Sequence, residues 1–566
     1  MTRTNDQSVE TITGAEAAVE MLKNHGVEIL FGLCGDTSLP FYDALARLPH
    51  GMQHVLARDE RSAAYMADGY ARVSGKVGVC EGPSGGGATY ILPGLAEANE
   101  SSVPLLCINS DISVSARGRY TLTELDQGAL MRPVTKWNAV LNRAEDLPRI
   151  FRAAFQQITT GRAGAAHLAL PFNVQNASVN RADVWGDVRF GRYPAERTAP
   201  DSDSIERAAR LLRDAKNPVL ICGGGVILSR AEAELLVVAE QLSLPVATTI
   251  SGKGSIQEEH QLAAGVVGSN GGTPETRAIV DDADLVFFIG CRAGSVTTER
   301  WRHPTPGRSK IIHLDTDPAV PGANYRVDAA LICDAKLGLK MLREALGNQR
   351  RPLDRSPLES AREQKFAKFQ ALAESVEKPI KPERLVAEMT RLLEPDAILV
   401  ADAGTPCPYF SAYYPVRRPG RFFSNRAHGA LGYSLPAAIG AHFARPSVKC
   451  VSVMGDGSFG FTCGELETAV RYRLPITFIV ISNASYGWIK AGQKSGYGQR
   501  YFSVDFAATD HAAVAAAFGV KSWRITEPAE LNRVFKEALA HGGPTLVDVV
   551  CQPLQEAKAP VSEWIA

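Results

Sequence analysis

The sequence predicts an α/β protein in which three doubly wound parallel-sheet domains follow one another along the chain. Three observations carry this. Short apolar runs alternate with helix-compatible stretches from Gly14 onward. Two polar segments without sustained periodicity, at about 173–204 and 347–382, divide the alternation into three blocks. At 566 residues the chain also exceeds what one hydrophobic core accommodates. The blocks are placed at 1–180, 200–348 and 380–555.

In the first block Ala18, Met21 and Leu22 recur at helical spacing, Gly26 follows as a C-terminal cap, and 27–31 is a strand-like run. Further runs lie at 54–56, 77–80, 104–108 and 166–170. The second block has runs at 218–222, 245–248, 285–289 and 311–314. The third has them at 397–400, 450–454, 477–481 and 545–549. Apolar strands separated by helices specify parallel sheets buried on both faces.

Composition narrows the function. Hydrophobic residues make up 45% of the chain, and 61 basic residues balance 61 acidic ones, so no net field recruits nucleic acid or an anionic membrane. The first ten residues are polar and no apolar run is long enough to span a bilayer, so a cytoplasmic enzyme of small molecules is expected. Ten cysteines stand mostly inside apolar runs without a C-x-x-C pair, which reads as reduced, buried side chains rather than a zinc site.

The third block contains VSVMGDGSFG, a stretch that can form a helix at 465–471, and a second strand ending at Ser482-Asn483. Parallel neighbours in one strand–helix–strand unit bring their C-terminal ends together, so Asp456 and Asn483 are expected to meet at the ligand-binding edge. A hard cation such as Mg²⁺ takes a carboxylate, an amide or carbonyl oxygen, and phosphate oxygens. Asp456, Asn483 and the carbonyl of Ser485 offer three such ligands. Gly455 and Gly457 let the backbone approach a diphosphate, and the amides of Ser458 and Phe459 offer donors to it.

In the first block Glu60 follows a strand and opens a helix of small residues, Ala63, Ala64, Met66, Ala67 and Tyr70. With Gly69-Tyr70-Ala71-Arg72 and Gly85-Gly86-Gly87, this segment resembles the pyrimidine-binding domain of acetolactate-synthase-like thiamine-diphosphate enzymes, a group that includes benzoylformate decarboxylase, benzaldehyde lyase and 2-hydroxyacyl-CoA lyases. The Asp456-to-Asn483 segment resembles their diphosphate-binding domain. The likeness implies thiamine diphosphate and Mg²⁺ as cofactors, with Glu60 bonded to the aminopyrimidine nitrogen N1′. It further implies Leu431 as the bulky residue beneath the cofactor, the Gly429 carbonyl as acceptor of the 4′-amino group, and Thr405 as a diphosphate contact. Gln127 and His428 are candidates for contact with the substrate.

The activity implied is decarboxylation of a 2-oxoacid with transfer of the acyl group to a second carbonyl compound. The alternatives are a 2-hydroxy ketone or 2-hydroxyacyl-CoA lyase, favoured by the Glu124-Leu-Asp126-Gln127 pattern, and a non-catalytic cofactor-binding paralogue. Glycine stands at position 492 where acetolactate synthases carry a tryptophan, and Pro83 stands where benzoylformate decarboxylase carries a histidine. In the middle block Cys222-Gly223-Gly224-Gly225 follows a strand; relatives use this region for FAD, for ADP or for nothing, and the glycine turn does not by itself assign FAD. The resemblance also implies a homodimer or homotetramer with the active site at the interface.

Overall fold

The computed structural model describes residues 10–352 and 356–564. It comprises two compact units, Met1–Glu196 and Arg197–Ala566. The first unit carries strands β1 (Thr11–Thr13), β2 (Ile29–Gly32), β3 (Gln53–Leu56), β4 (Gly78–Gly82), β5 (Leu105–Asp111), β6 (Trp137–Val140), β7 (Ala165–Pro171) and β8 (Ser178–Asn180). Six of them form one sheet in the order β3-β2-β4-β5-β7-β6, with every pair parallel. The inner strands β4, β5 and β7 are buried along their whole length, as helices on both faces require. Strands β1 and β8 pair antiparallel, so the polar segment after 173 is folded back onto the start of the same unit.

The second unit holds two more six-stranded parallel sheets. One is built from β9 (Pro218–Cys222), β10 (Val246–Thr248), β11 (Ala263–Val266), β12 (Leu285–Ile289), β13 (Lys310–Asp315) and β14 (Ala329–Ile332). Its order is β11-β10-β9-β12-β13-β14, the doubly wound arrangement of dinucleotide-binding folds. The other is built from β15 (Ile398–Ala401), β16 (Phe422–Ser424), β17 (Cys450–Gly455), β18 (Thr477–Ser482), β19 (Lys521–Ile525) and β20 (Thr545–Val550). Its order, β16-β15-β17-β18-β20-β19, repeats that of the first unit's sheet. The charged connector contributes the helix Ser356–Ala373, which buries Leu358, Phe369 and Ala373.

All ten cysteines are free, and eight are buried. Among the described residues no helix is long and apolar enough to cross a membrane.

Candidate functional site

In the last sheet the strand order reverses between β15 and β17, and such a reversal opens a crevice at the C-terminal strand ends. Strand β17 ends at Gly455, and the helix Asp456–Thr462 begins with the next residue, ahead of the expected helix Glu465–Arg471. Neighbouring β18 delivers Asn483 alongside. The backbone amides of Asn483 and Ala484 donate to Asp456 Oδ2 at 2.7 and 2.6 Å, and that of Gly457 donates to Oδ1 at 2.8 Å. Burial raises the Asp456 carboxyl above its ordinary range, against the three amides that favour the charged form.

A cavity of about 420 Å³ opens at this edge. Its wall includes Thr405, Gly429, Leu431, Gly455, Asp456, Gly457, Ser458 and Ser485. Three helices begin there: Pro406–Tyr413, with Thr405 at its N-cap, Asp456–Thr462, and Gly487–Gly496 after Tyr486. First-turn amides lack intrahelical acceptors and carry the positive end of the helix dipole, so the starts of Asp456–Thr462 and Gly487–Gly496 suit a phosphate-bearing anion, while Pro406 and Pro408 leave Cys407 as the one amide at the start of Pro406–Tyr413. Among the described residues no group of three His, Cys, Asp or Glu could hold a metal. The donor set of one carboxylate with neutral oxygens from Asn483 and Ser485 has the chemistry of a hard-cation site that completes its shell from phosphate.

The loop bearing Gly429 and Leu431 is braced from below. Asn425 Nδ2 donates to the Ala430 carbonyl at 2.5 Å, Gly432 N donates to Ser458 Oγ at 2.6 Å, and Thr462 Oγ1 donates to the Gly432 carbonyl at 2.9 Å. The Ser458 side chain thus ties this loop to the start of the Asp456–Thr462 helix. Gly429 has φ +74, and a side chain there would project into open space. Ser485 Oγ donates to Asn483 Oδ1 at 3.2 Å, which orients the amide.

In the first unit Glu60 is the first residue of the helix Glu60–Ser74, capped by Asp59, whose side chain accepts from Arg61 N and Ser62 N. It is 7% exposed. A Cβ at Gly87 would come within 3.1 Å of Glu60 Oε1, and one at Gly82 within 3.1 Å of its Cγ, so the two glycines make the room this carboxylate occupies. Burial, reinforced by the charges of Asp59 and Glu81, raises the Glu60 carboxyl above its ordinary range. Glu81, which the sequence reading did not single out, is itself buried and accepts a hydrogen bond from Tyr42, with His54 beside both.

Gln127 is 1% exposed, and its Nε2 donates to the Ser110 carbonyl at 2.9 Å. Its neighbours in the pattern have local tasks: Glu124 accepts from the amides of Gly118 and Thr121, and Asp126 caps the helix Gln127–Met131. His428 is exposed in the loop before Gly429, outside the cavity lining. In the middle sheet the glycine turn after β9 packs against the next strand end, and a Cβ at Gly225 would lie 2.7 Å from Gly290 Cα. Close backbone packing alone accounts for those glycines.

The cavity wall also draws on residues that no sequence motif marks. Asn270, Val296 and Arg300 come from loops of the middle sheet, Trp488 from the Gly487–Gly496 helix, and Glu563 and Trp564 from the C-terminal tail. The tail is pinned there by a bridge between Asn270 and Val561, by Gly271 N donating to the Pro560 carbonyl at 2.8 Å, and by the Trp488 and Trp564 rings 5.0 Å apart.

The chain matches three family descriptions. These are the thiamine pyrophosphate enzyme N-terminal TPP binding domain at 12–130, the central domain at 205–342 and the C-terminal TPP binding domain at 402–549. Among curated proteins it is 36% identical over 551 residues to a probable acetolactate synthase large subunit of Methanocaldococcus jannaschii, covering 96% of this chain and 92% of that one. It is 35% identical over 562 residues to the corresponding protein of Methanococcus aeolicus, with the same coverage. To the acetolactate synthase isozyme 3 large subunit of Escherichia coli it is 32% identical over 539 residues, covering 94% and 93%.

The chain belongs to the acetolactate-synthase-like thiamine pyrophosphate enzymes. Within this thiamine-diphosphate-dependent enzyme, every candidate residue named from sequence lies inside the N-terminal or C-terminal matched segment. The tail that brings Glu563 and Trp564 to the cavity lies beyond them.

Proposed function

We propose that the enzyme decarboxylates a 2-oxoacid and transfers the acyl group to a second carbonyl compound, with thiamine diphosphate and Mg²⁺ as cofactors. The observation that carries this is Asp456, presented at the strand-order reversal of the last sheet with Asn483 beside it in an anion-receptive cavity. The names of the relatives, acetolactate synthases, support the same reading.

When bound, thiamine diphosphate supplies a carbon nucleophile that accepts the electron pair left by departing CO₂. Asp456, Asn483 and the Ser485 carbonyl would hold Mg²⁺. The amides of Ser458 and Phe459, with Thr405, would hold the diphosphate where Gly455 and Gly457 let the backbone approach it. Leu431 and the Gly429 carbonyl would fix the bend and the amino group of the cofactor. Glu60 would keep a proton shared with the pyrimidine ring, a task suited to a carboxyl whose affinity for protons is raised by burial. Gln127 and His428 are the candidates for substrate contact and proton transfer. The first block would then be the pyrimidine-binding domain and the third the diphosphate-binding domain. The unit of activity would be a homodimer or homotetramer in the cytoplasm, with its active site at the interface.

The test is turnover of a panel of 2-oxoacids by protein supplied with thiamine diphosphate and Mg²⁺, following CO₂ and products by mass spectrometry. Cofactor-dependent CO₂ release and a carboligation product are expected. Glu60→Gln is expected to lower kcat by about 10²–10⁴-fold. Cleavage of a 2-hydroxy ketone or 2-hydroxyacyl-CoA without CO₂ release from any oxoacid would replace this reading with a lyase.

A further inference from the structure

The cavity wall contains two arginines. Arg300 faces the Glu563 carboxylate at 3.6 Å. Arg426 has no carboxylate partner among the described residues; it is held by a neutral group. With the Asn270 amide oriented by its neighbours, Oδ1 accepts from Arg426 Nη1 at 2.9 Å and from Nη2 at 2.8 Å. Arg426 Nε is buried and has no hydrogen-bond partner.

A guanidinium carries five N–H donors in a rigid plane and keeps its charge throughout the ordinary pH range. Asn270 uses two of the five and neutralises none of the charge. A buried donor on an uncompensated cation is costly unless an anion completes it. The plane is also set in advance: Asn270 is 1% exposed and tied by its backbone to Val561 of the tail. Two anions can enter this cavity, the cofactor's diphosphate and the substrate's carboxylate. The diphosphate would have the helix starts and the cation at Asp456, whereas a carboxylate can take the outer Nη donors of Arg426, a residue of the cavity wall whose Nε is itself buried.

We propose that Arg426, oriented by Asn270, forms an anion subsite that anchors the carboxylate of the 2-oxoacid. This rests on the reading of the enzyme as a 2-oxoacid decarboxylase. Binding at Arg426 fixes which end of the substrate is charged and so orients its carbonyl in the cavity.

The experiment compares wild type with Arg426→Gln and with Arg426→Lys, which keeps the charge and loses the fork. Arg426→Gln is expected to raise KM for the 2-oxoacid by about tenfold or more, the effect of losing a charge-assisted pair. The Kd for thiamine diphosphate, by calorimetry, should stay within about twofold, and the lysine variant should fall between. Calorimetric titration of the holoprotein with oxamate, a non-reacting carboxylate, reads the subsite without turnover. Oxamate binding that disappears in Arg426→Gln supports the subsite even if no oxoacid is decarboxylated, in which case only the catalytic reading fails. An unchanged KM, oxamate binding that is absent from wild type or unaffected by the variant, or a parallel loss of thiamine diphosphate affinity would overturn the proposal, the last by assigning the arginine to the diphosphate.

Discussion

Glu60 and Asp456 illustrate at the scale of single residues what chain order alone can place. Each follows the last residues of a strand and opens a helix, so its position at a C-terminal sheet edge follows from local sequence. Arg426 and Asn270 meet only because two sheets of one unit fold together, and nothing local to either residue announces the other as its partner. Glu60 also carries a testable cost. Its folded carboxyl titrates above the unfolded one, so folding takes up a proton between the two values. Stability is then fullest below the ordinary glutamate range and falls as pH rises through the folded value. Glu60→Gln removes the buried charge and is expected to raise the unfolding midpoint at pH 8. The gain should vanish below the ordinary glutamate range, where the carboxyl is neutral in both the folded and the unfolded chain; scanning fluorimetry of the cofactor-free protein across this range checks it.

Among secondary-structure elements, the strands missing from the sequence reading share one physical character. β1 and β8, which form a two-stranded sheet, and β6, β11, β14, β16 and β19 all lie at sheet edges, where one flank is unpaired and the residues need not be uniformly apolar. β6 is half-buried throughout, and β19 is buried only at its last residue, Ile525. The inner strands were legible because they are covered on both faces. The helix Asp456–Thr462 was illegible for another reason: its three non-terminal glycine and serine positions have low helix propensity, and the helix exists because its start serves the cavity. Small residues, by contrast, correctly signalled close packing around the Glu60–Ser74 helix. A methyl group at Gly94, on the helix Leu92–Glu100, would overlap Ala64. Gly94→Ala is expected to cost about 1–3 kcal/mol in urea unfolding, and to reduce turnover as well, because the displaced helix carries Glu60 as its first residue.

For the whole molecule, the alternation of apolar runs and the two polar connectors were enough to read three sheets; the tail after 553 could be read only as a segment able to fold over the pocket, and nothing in its sequence marked Glu563 and Trp564 as the residues that line it. The first and last sheets share one strand order, and the candidate carboxylates Glu60 and Asp456 each follow a strand of one of them. If the active site is assembled from two chains, Glu60→Gln and Asp456→Ala are each inactive alone but complementary. Unfolding and refolding an equal mixture should restore roughly a quarter of wild-type activity, because half the random dimers are hybrids with one intact site of two. No recovery in the mixture would place both carboxylates of a site on one chain. The helix starts gathered around Asp456 have a physiological consequence as well. If the diphosphate is held there, orthophosphate is expected to compete for the same amides, and the fraction of enzyme charged with cofactor would follow the ratio of the two metabolites rather than the vitamin's level alone.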